Sequence, residues 1–163
     1  MNNQANNEVK YFDLHTTGLG YLNDFRQVRP NQGKPYYVVR IAALRGNSNS
    51  TSYTYYDCSI PSEEALNVLL NFVDNNDEEN GQKVRFMATF KIGDTYPDPF
   101  IYQRGEKQGQ PGVALKSRLL QIRSLYRNGE LVYKRRVDEQ DAVTTQDVNQ
   151  ANHNENGSVI FIG

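Results

Sequence analysis

Residues 36–44 read YYVVRIAAL, residues 53–60 read YTYYDCSI, and these two runs decide the fold. Both are rich in the β-branched and aromatic residues that favour strands. Because side chains alternate along a strand, each run has one face for a core and one face for solvent. The inward set is Tyr37, Val39, Ile41, Ala43, Thr54, Tyr56, Cys58 and Ile60. The outward set is Tyr36, Val38, Arg40, Tyr53 and Tyr55.

The periodicity changes from that of a strand to that of a helix after the second run. Ser62 is a candidate N-cap, and two acids follow it in what would be the first turn. Apolar residues then recur at helical spacing as far as Val73. This pattern predicts one amphipathic helix over residues 62–74.

Further strands are predicted on both sides of this helix. One covers residues 11–22, where Gly18 and Gly20 indicate a bulge or a sharp bend, and a separate extended segment follows at 25–29. Another covers residues 83–92, whose alternate positions are apolar.

The last third of the domain predicts a projecting hairpin. Residues 100–103 and 113–125 are strand-like and flank the glycine-rich loop RGEKQGQPG. Asn128-Gly129 is a strong two-residue hairpin signal. Asp94 and Asp98, in GDTYPDP, are interpreted as turn residues rather than as a metal-binding pair.

The order of these elements predicts the fold class. Three strands, a helix and two long strands with an extra hairpin form an all-β domain with one helix, the layout of the OB-fold. That fold is a five-stranded Greek-key barrel, and here the hairpin between its fourth and fifth strands is extended. A twisted sandwich or another small barrel would give a similar string.

Charge and polarity divide the chain into one domain and two tails. Residues 1–8 and 137–163 are rich in Asn, Gln, Asp and Ser, and we expect them to be disordered tails. The domain at residues 9–136 carries 18 basic and 13 acidic residues, a net charge of +5. Six of those acids fall in residues 62–80, which lack Lys and Arg. A basic body of this kind suits a polyanionic ligand, although the asymmetry also favours solubility alone.

The single cysteine, Cys58, leaves no intrachain disulfide and suits a reducing compartment. No apolar run is long enough to cross a bilayer, and no secretory signal is recognisable, so we expect a cytoplasmic protein without a membrane partner.

His15 is interpreted as structural, and no motif for catalysis, metal binding or phosphate cradling is found. We therefore expect no enzymatic activity, no catalytic residue, no metal and no cofactor.

The outward faces of the two central strands combine rings with cations, which is the composition of a single-strand binding surface. Aromatic rings stack on bases, and Arg and Lys follow the phosphates. Tyrosines also suit half-buried strands in general, and the glycine-rich loop is equally compatible with an ordinary solvated turn. The candidate nucleic-acid-binding residues are Tyr36, Arg40, Tyr53, Tyr55, Tyr102, Arg104, Lys107, Lys116 and Arg118.

Several strings resemble a known bacterial family. YFDLHTTGLGYLN, IAALRG, FKIGDTYP, GVALKSRLL and GELVYK, spread over about residues 11–134, resemble replication proteins of integrative conjugative elements. That family is regarded as similar to single-stranded-DNA-binding proteins. The resemblance implies an OB-fold and a role in replication or maintenance of the mobile element, and it carries over no catalytic residue.

The chain layout also resembles bacterial single-strand-binding protein, in which a barrel is followed by a polar tail and a short tip. The tip here is VIFIG at residues 159–163, whereas that family has an acidic tip ending in Pro-Phe. The resemblance implies a docking peptide for replication or repair proteins. The tip is equally compatible with a strand that completes a neighbouring subunit of a homo-oligomer.

Two functions of different classes follow. The first is a largely sequence-nonspecific single-stranded-DNA-binding protein. The second is an OB-fold protein–protein adaptor in a replication or conjugation complex, which would use the same tyrosine-rich face without direct DNA binding. Steep salt dependence of oligonucleotide binding favours the first, and no binding at low salt favours the second.

Overall fold

The computed structural model describes residues 8–136, which are mostly β-sheet with one helix. The predicted tails, including the tip at 159–163, lie outside these residues except for Glu8. The elements are β1 (His15–Val28), β2 (Tyr36–Asn47), β3 (Ser50–Ser59), α1 (Glu63–Phe72), β4 (Glu78–Glu79), β5 (Gln82–Lys83), β6 (Phe86–Ile101), β7 (Pro111–Arg127) and β8 (Glu130–Lys134).

The main sheet curves into a barrel-like shape. Its six strands run in the order β3-β2-β1-β6-β7-β8, and an additional pairing joins β3 to β7. That pairing is parallel and covers four residue pairs, from Tyr56↔Leu115 to Ser59↔Arg118. The other pairings are antiparallel. Five strands therefore form a closed ring, and β8 extends the sheet beyond this ring as the second strand of the hairpin predicted at Asn128-Gly129.

The core lies inside this ring and is closed by α1. The alternation along β2 and β3 places Val39, Ile41 and Cys58 among the buried core residues, as predicted. The helix begins at its N-cap Ser62, whose hydroxyl accepts a hydrogen bond from the Ala65 amide at 3.2 Å. The inner face of α1 adds Ala65, Val68 and Leu69 to the core.

The first strand differs from the prediction in its bounds and in the position of its bulge. A single strand, β1, replaces the two segments expected at 11–22 and 25–29. The register shifts between Asn23 and Arg26, where Asp24 has a left-handed φ of 52°. Gly20 instead marks a close approach: a Cβ there would lie 2.7 Å from the carbonyl oxygen of Ala42.

The GDTYPDP segment belongs to β6 and is not a turn, so that interpretation was wrong. Asp94 has a left-handed φ of 54° at a register shift between Gly93 and Tyr96, after which pairing with β7 resumes as far as Ile101↔Pro111. The bulge lets the strand continue past Pro97 and Pro99. The hairpin between the fourth and fifth ring strands, β6 and β7, is consequently longer than the sequence indicated.

Asn-Gly pairs form two of the tight turns within residues 8–136. Asn128-Gly129 connects β7 to β8 with positive φ at both residues, as predicted. Asn80-Gly81 connects β4 to β5 in the same way, with positive φ at both residues. No helix within residues 8–136 has the length and apolar character of a membrane span.

Candidate nucleic-acid interface

Three tyrosines form a row across the outer face of the barrel. Tyr53 and Tyr55 are two residues apart on β3, so they lie on the same face, and their ring centroids are 6.5 Å apart. Tyr21, on β1, continues the row, with its centroid 6.3 Å from that of Tyr53. We call these three residues the aromatic strip. Tyr55 is its most open member and exposes 56% of its surface.

The strip spans three strands because the strand between them carries a small residue. Ala42 pairs with Tyr21 on one side and with Tyr55 on the other. Its methyl group therefore shares the face of these rings, and Ala42 is buried. Ala42 and the aromatic strip line a groove of about 490 Å³, which we call the Tyr21 groove. Lys83 and Arg85 also line it.

The β6–β7 hairpin builds a second groove on the other side of Tyr53 and Tyr55. It has a volume of about 540 Å³ and is lined also by Arg40, Phe100 and Tyr102. The rings of Phe100 and Tyr102 meet edge to face, with centroids 4.8 Å apart. We call this cleft the hairpin groove. Tyr53 and Tyr55 thus form a ridge between two grooves that both carry cations.

A cation lies over a ring at each end of this surface. The guanidinium of Arg85 is 4.4 Å from the ring centroid of Tyr21. At the other end the ammonium of Lys107 is 5.6 Å from the centroid of Tyr102. Both distances fall within the range of cation–π attraction. Arg104 lies in the same hairpin loop, and neither it nor Lys107 has a carboxylate partner within residues 8–136.

The remaining predicted cations are held by aspartates. Arg40 Nε donates to Asp57 at 2.8 Å, and Lys116 Nζ lies 3.9 Å from the other oxygen of the same carboxylate. The hydrogen bond from Arg40 to Asp57 raises the pKa of Arg40 above its ordinary value. Arg118 donates to Asp94 at 3.1 Å.

We call the ion pairs of Asp57 with Arg40 and Lys116 the bridge. A third groove, the Tyr36 groove, begins there. It has a volume of about 650 Å³ and includes Arg40 and Asp57 in its lining, as the hairpin groove does. Tyr36, Lys116 and Arg118 also line it. Seven of the nine predicted site residues therefore line the hairpin groove or the Tyr36 groove, and Arg104 and Lys107 lie in the adjoining hairpin loop.

The sequence analysis did not identify three residues of this surface as site residues: Tyr21 and Arg85 beside the Tyr21 groove, and Phe100 in the hairpin groove. Tyr21 precedes the buried Leu22, and Arg85 precedes the buried Phe86, so alternation alone would have placed both on the outer face. Phe100 was recognised only as a strand residue. Its pairing with Tyr102 depends on the hairpin extending as far as it does.

The one cysteine is a core residue. Cys58 is 1% exposed, and burial raises the pKa of its thiol to about 12. A thiol of that pKa is protonated at neutral pH and is a poor nucleophile. Within the described residues no three His, Cys, Asp or Glu side chains are grouped as metal ligands.

A family model described as a protein of unknown function (DUF3577) matches residues 5–141. The chain belongs to this family. No curated protein and no solved structure matches the chain. The matched range contains all three grooves, so the candidate interface lies wholly within the domain that defines the family.

Proposed function

We propose that this protein binds single-stranded DNA across the outer face of its barrel, largely without sequence preference. The observation that carries the proposal is the aromatic strip, in which Tyr53 and Tyr55 are exposed and Tyr21 is half-buried, flanked by the cations Arg85 and Lys107. Every base has a face that can stack on such a ring, so stacking does not depend on sequence. Each stacked base contributes about 1 to 3 kcal/mol.

We also propose that the barrel is an OB-fold. The closed ring of five strands and the helix between the third and the fourth of them support this assignment. OB-folds bind oligonucleotides on strands two and three and on the loops that follow strands one and four. The corresponding parts here are β2, β3, residues 29–35 and the β6–β7 loop. The aromatic strip and the hairpin groove lie largely on these elements.

The cellular role that we propose is replication or maintenance of an integrative conjugative element. Support for it comes from the sequence resemblance, together with a surface suited to the single strands that replication exposes. Binding to the DNA backbone in this role requires net positive charge, and residues 9–136 carry it.

The decisive experiment is a fluorescence-anisotropy titration of the full chain. A labelled oligothymidine, an oligouridine of the same length and a duplex would each be titrated at about 50 and 200 mM salt. We expect the single strands to bind much more tightly than the duplex, because a duplex hides the base faces. Affinity should fall steeply with salt. Equal affinity for duplex and single strand would exclude stacking. No binding at low salt would favour the protein–protein adaptor.

A further inference from the structure

We infer that the Tyr36 groove is a second binding segment for the same DNA strand, entered across the bridge of Arg40, Asp57 and Lys116. This inference rests on the proposed function. It assigns contacts to Tyr96 and Arg26, and it makes the complete binding site longer than the aromatic strip and the hairpin groove together.

The chemistry of the Tyr36 groove repeats that of the strip. Two exposed tyrosines line it: Tyr36 exposes 47% of its surface and Tyr96 exposes 56%. Rings this open, beside cations, offer bases a stacking face and phosphates a partner. The volume of about 650 Å³ lies within the ordinary range of ligand sites.

The cations of the Tyr36 groove are suited to reversible binding of a polyanion. Arg26, Lys116 and Arg118 line the groove, and each is paired with an aspartate. All these pairs are partly exposed to solvent, and exposed ion pairs contribute little to stability. A phosphate can therefore displace a carboxylate at small cost. The pairs hold the side chains at the groove in the absence of DNA.

The two segments are continuous in space. Arg40 and Asp57 line both the hairpin groove and the Tyr36 groove. Asp57 also lies on β3 two residues after Tyr55, on the same outer face. A DNA strand that stacks on Tyr55 and continues towards Asp57 crosses the bridge and enters the Tyr36 groove.

The test compares oligothymidines of about 4 and about 12 nucleotides, which span the lower and middle range of OB-fold site sizes. The protein variants are wild type, Tyr96→Ala and the control Phe72→Ala. Phe72 is an exposed ring on α1 that lines none of the three grooves. We expect Tyr96→Ala to weaken 12-mer binding by roughly 5- to 100-fold and to leave 4-mer binding unchanged. Phe72→Ala should change neither.

Two results would overturn the inference. Unchanged binding of both lengths would show that DNA does not reach the Tyr36 groove, and equal losses for both would show that it is the primary site. Failure of the wild type to bind either length would instead refute the proposed function itself. Lys116→Gln gives a second measurement, since it should reduce the salt dependence of the 12-mer alone. Melting temperatures equal to wild type establish that each variant is folded.

Discussion

The Asp57 carboxylate accepts a hydrogen bond from Arg40 Nε at 2.8 Å on the face that is proposed to bind DNA. Its second oxygen lies 3.9 Å from Lys116 Nζ. Asp57 therefore occupies the place that a backbone phosphate would take between these two cations. Any strand that crosses from the hairpin groove to the Tyr36 groove has to displace it.

Removing this carboxylate should strengthen DNA binding. In wild type, a DNA phosphate that pairs with Arg40 displaces Asp57. The freed carboxylate then takes up a cation from solution, which offsets the counterion that the DNA releases. We expect Asp57→Asn to raise single-strand affinity and to steepen the salt slope by about 0.7 for each additional phosphate that the protein neutralises.

The matched control for Asp57→Asn is Glu64→Gln, which breaks a similar pair with Arg135 at 2.9 Å, away from the three grooves. The two variants lose the same charge. Equal effects would mean that only overall charge matters. Weaker binding by Asp57→Asn would mean that Asp57 acts by positioning Arg40.

Tyr55→Ala separates stacking from electrostatics. The exposed ring should contribute about 1 to 3 kcal/mol of single-strand affinity, and its loss should leave the salt slope unchanged because no phosphate partner is removed. Tyr55→Phe retains a stacking ring and should bind like wild type. If both variants lose affinity equally, the hydroxyl group rather than the ring makes the contact.

The hairpin cations should behave in the opposite way. Arg104→Gln and Lys107→Gln should each make the slope of log affinity against log salt shallower by about 0.7, the value for one phosphate of a single strand. Lys134→Gln removes the same charge from β8, outside the three grooves, and serves as the control. A slope that responds equally to all three variants would place DNA outside the hairpin.

The buried thiol predicts a loss of stability in alkali. The pKa of Cys58 is about 12 in the folded protein, whereas an unfolded thiol ionises near 8.5. Between these values the unfolded chain binds fewer protons, so rising pH favours unfolding by about 1.4 kcal/mol per unit. Denaturant unfolding between about pH 8 and pH 10 should show this dependence, and Cys58→Ala should reduce it. Parallel pH profiles for the two proteins would contradict it.

The sequence predicted the elements whose pattern is local. Alternation placed Tyr53 and Tyr55 on the opposite face from Cys58, and the N-cap at Ser62 marked the start of α1. These features need only the period of a strand or a helix and the chemistry of one cap. The site residues on β2 and β3 were accessible to sequence reasoning for the same reason.

The remaining features depend on contacts between distant segments. Asp24 and Asp94 interrupt the strand pattern, and whether such a residue ends a strand or makes a bulge is decided by the neighbouring strand. Likewise, Tyr21 reaches the strip only because β1 pairs with β2 with Ala42 between the rings. Periodicity gives no information about either pairing.

The barrel ring closes through only four residue pairs, between β3 and β7. This seam joins segments that are far apart in the chain, so it has little local support and should open more readily than the longer antiparallel ladders. Amide hydrogen exchange at Tyr56–Ser59 would then be faster than in the middle of β2. A DNA strand bound to both Tyr55 and Lys116 lies across the β3–β7 seam. We therefore expect bound DNA to stabilise the seam and to slow amide exchange there.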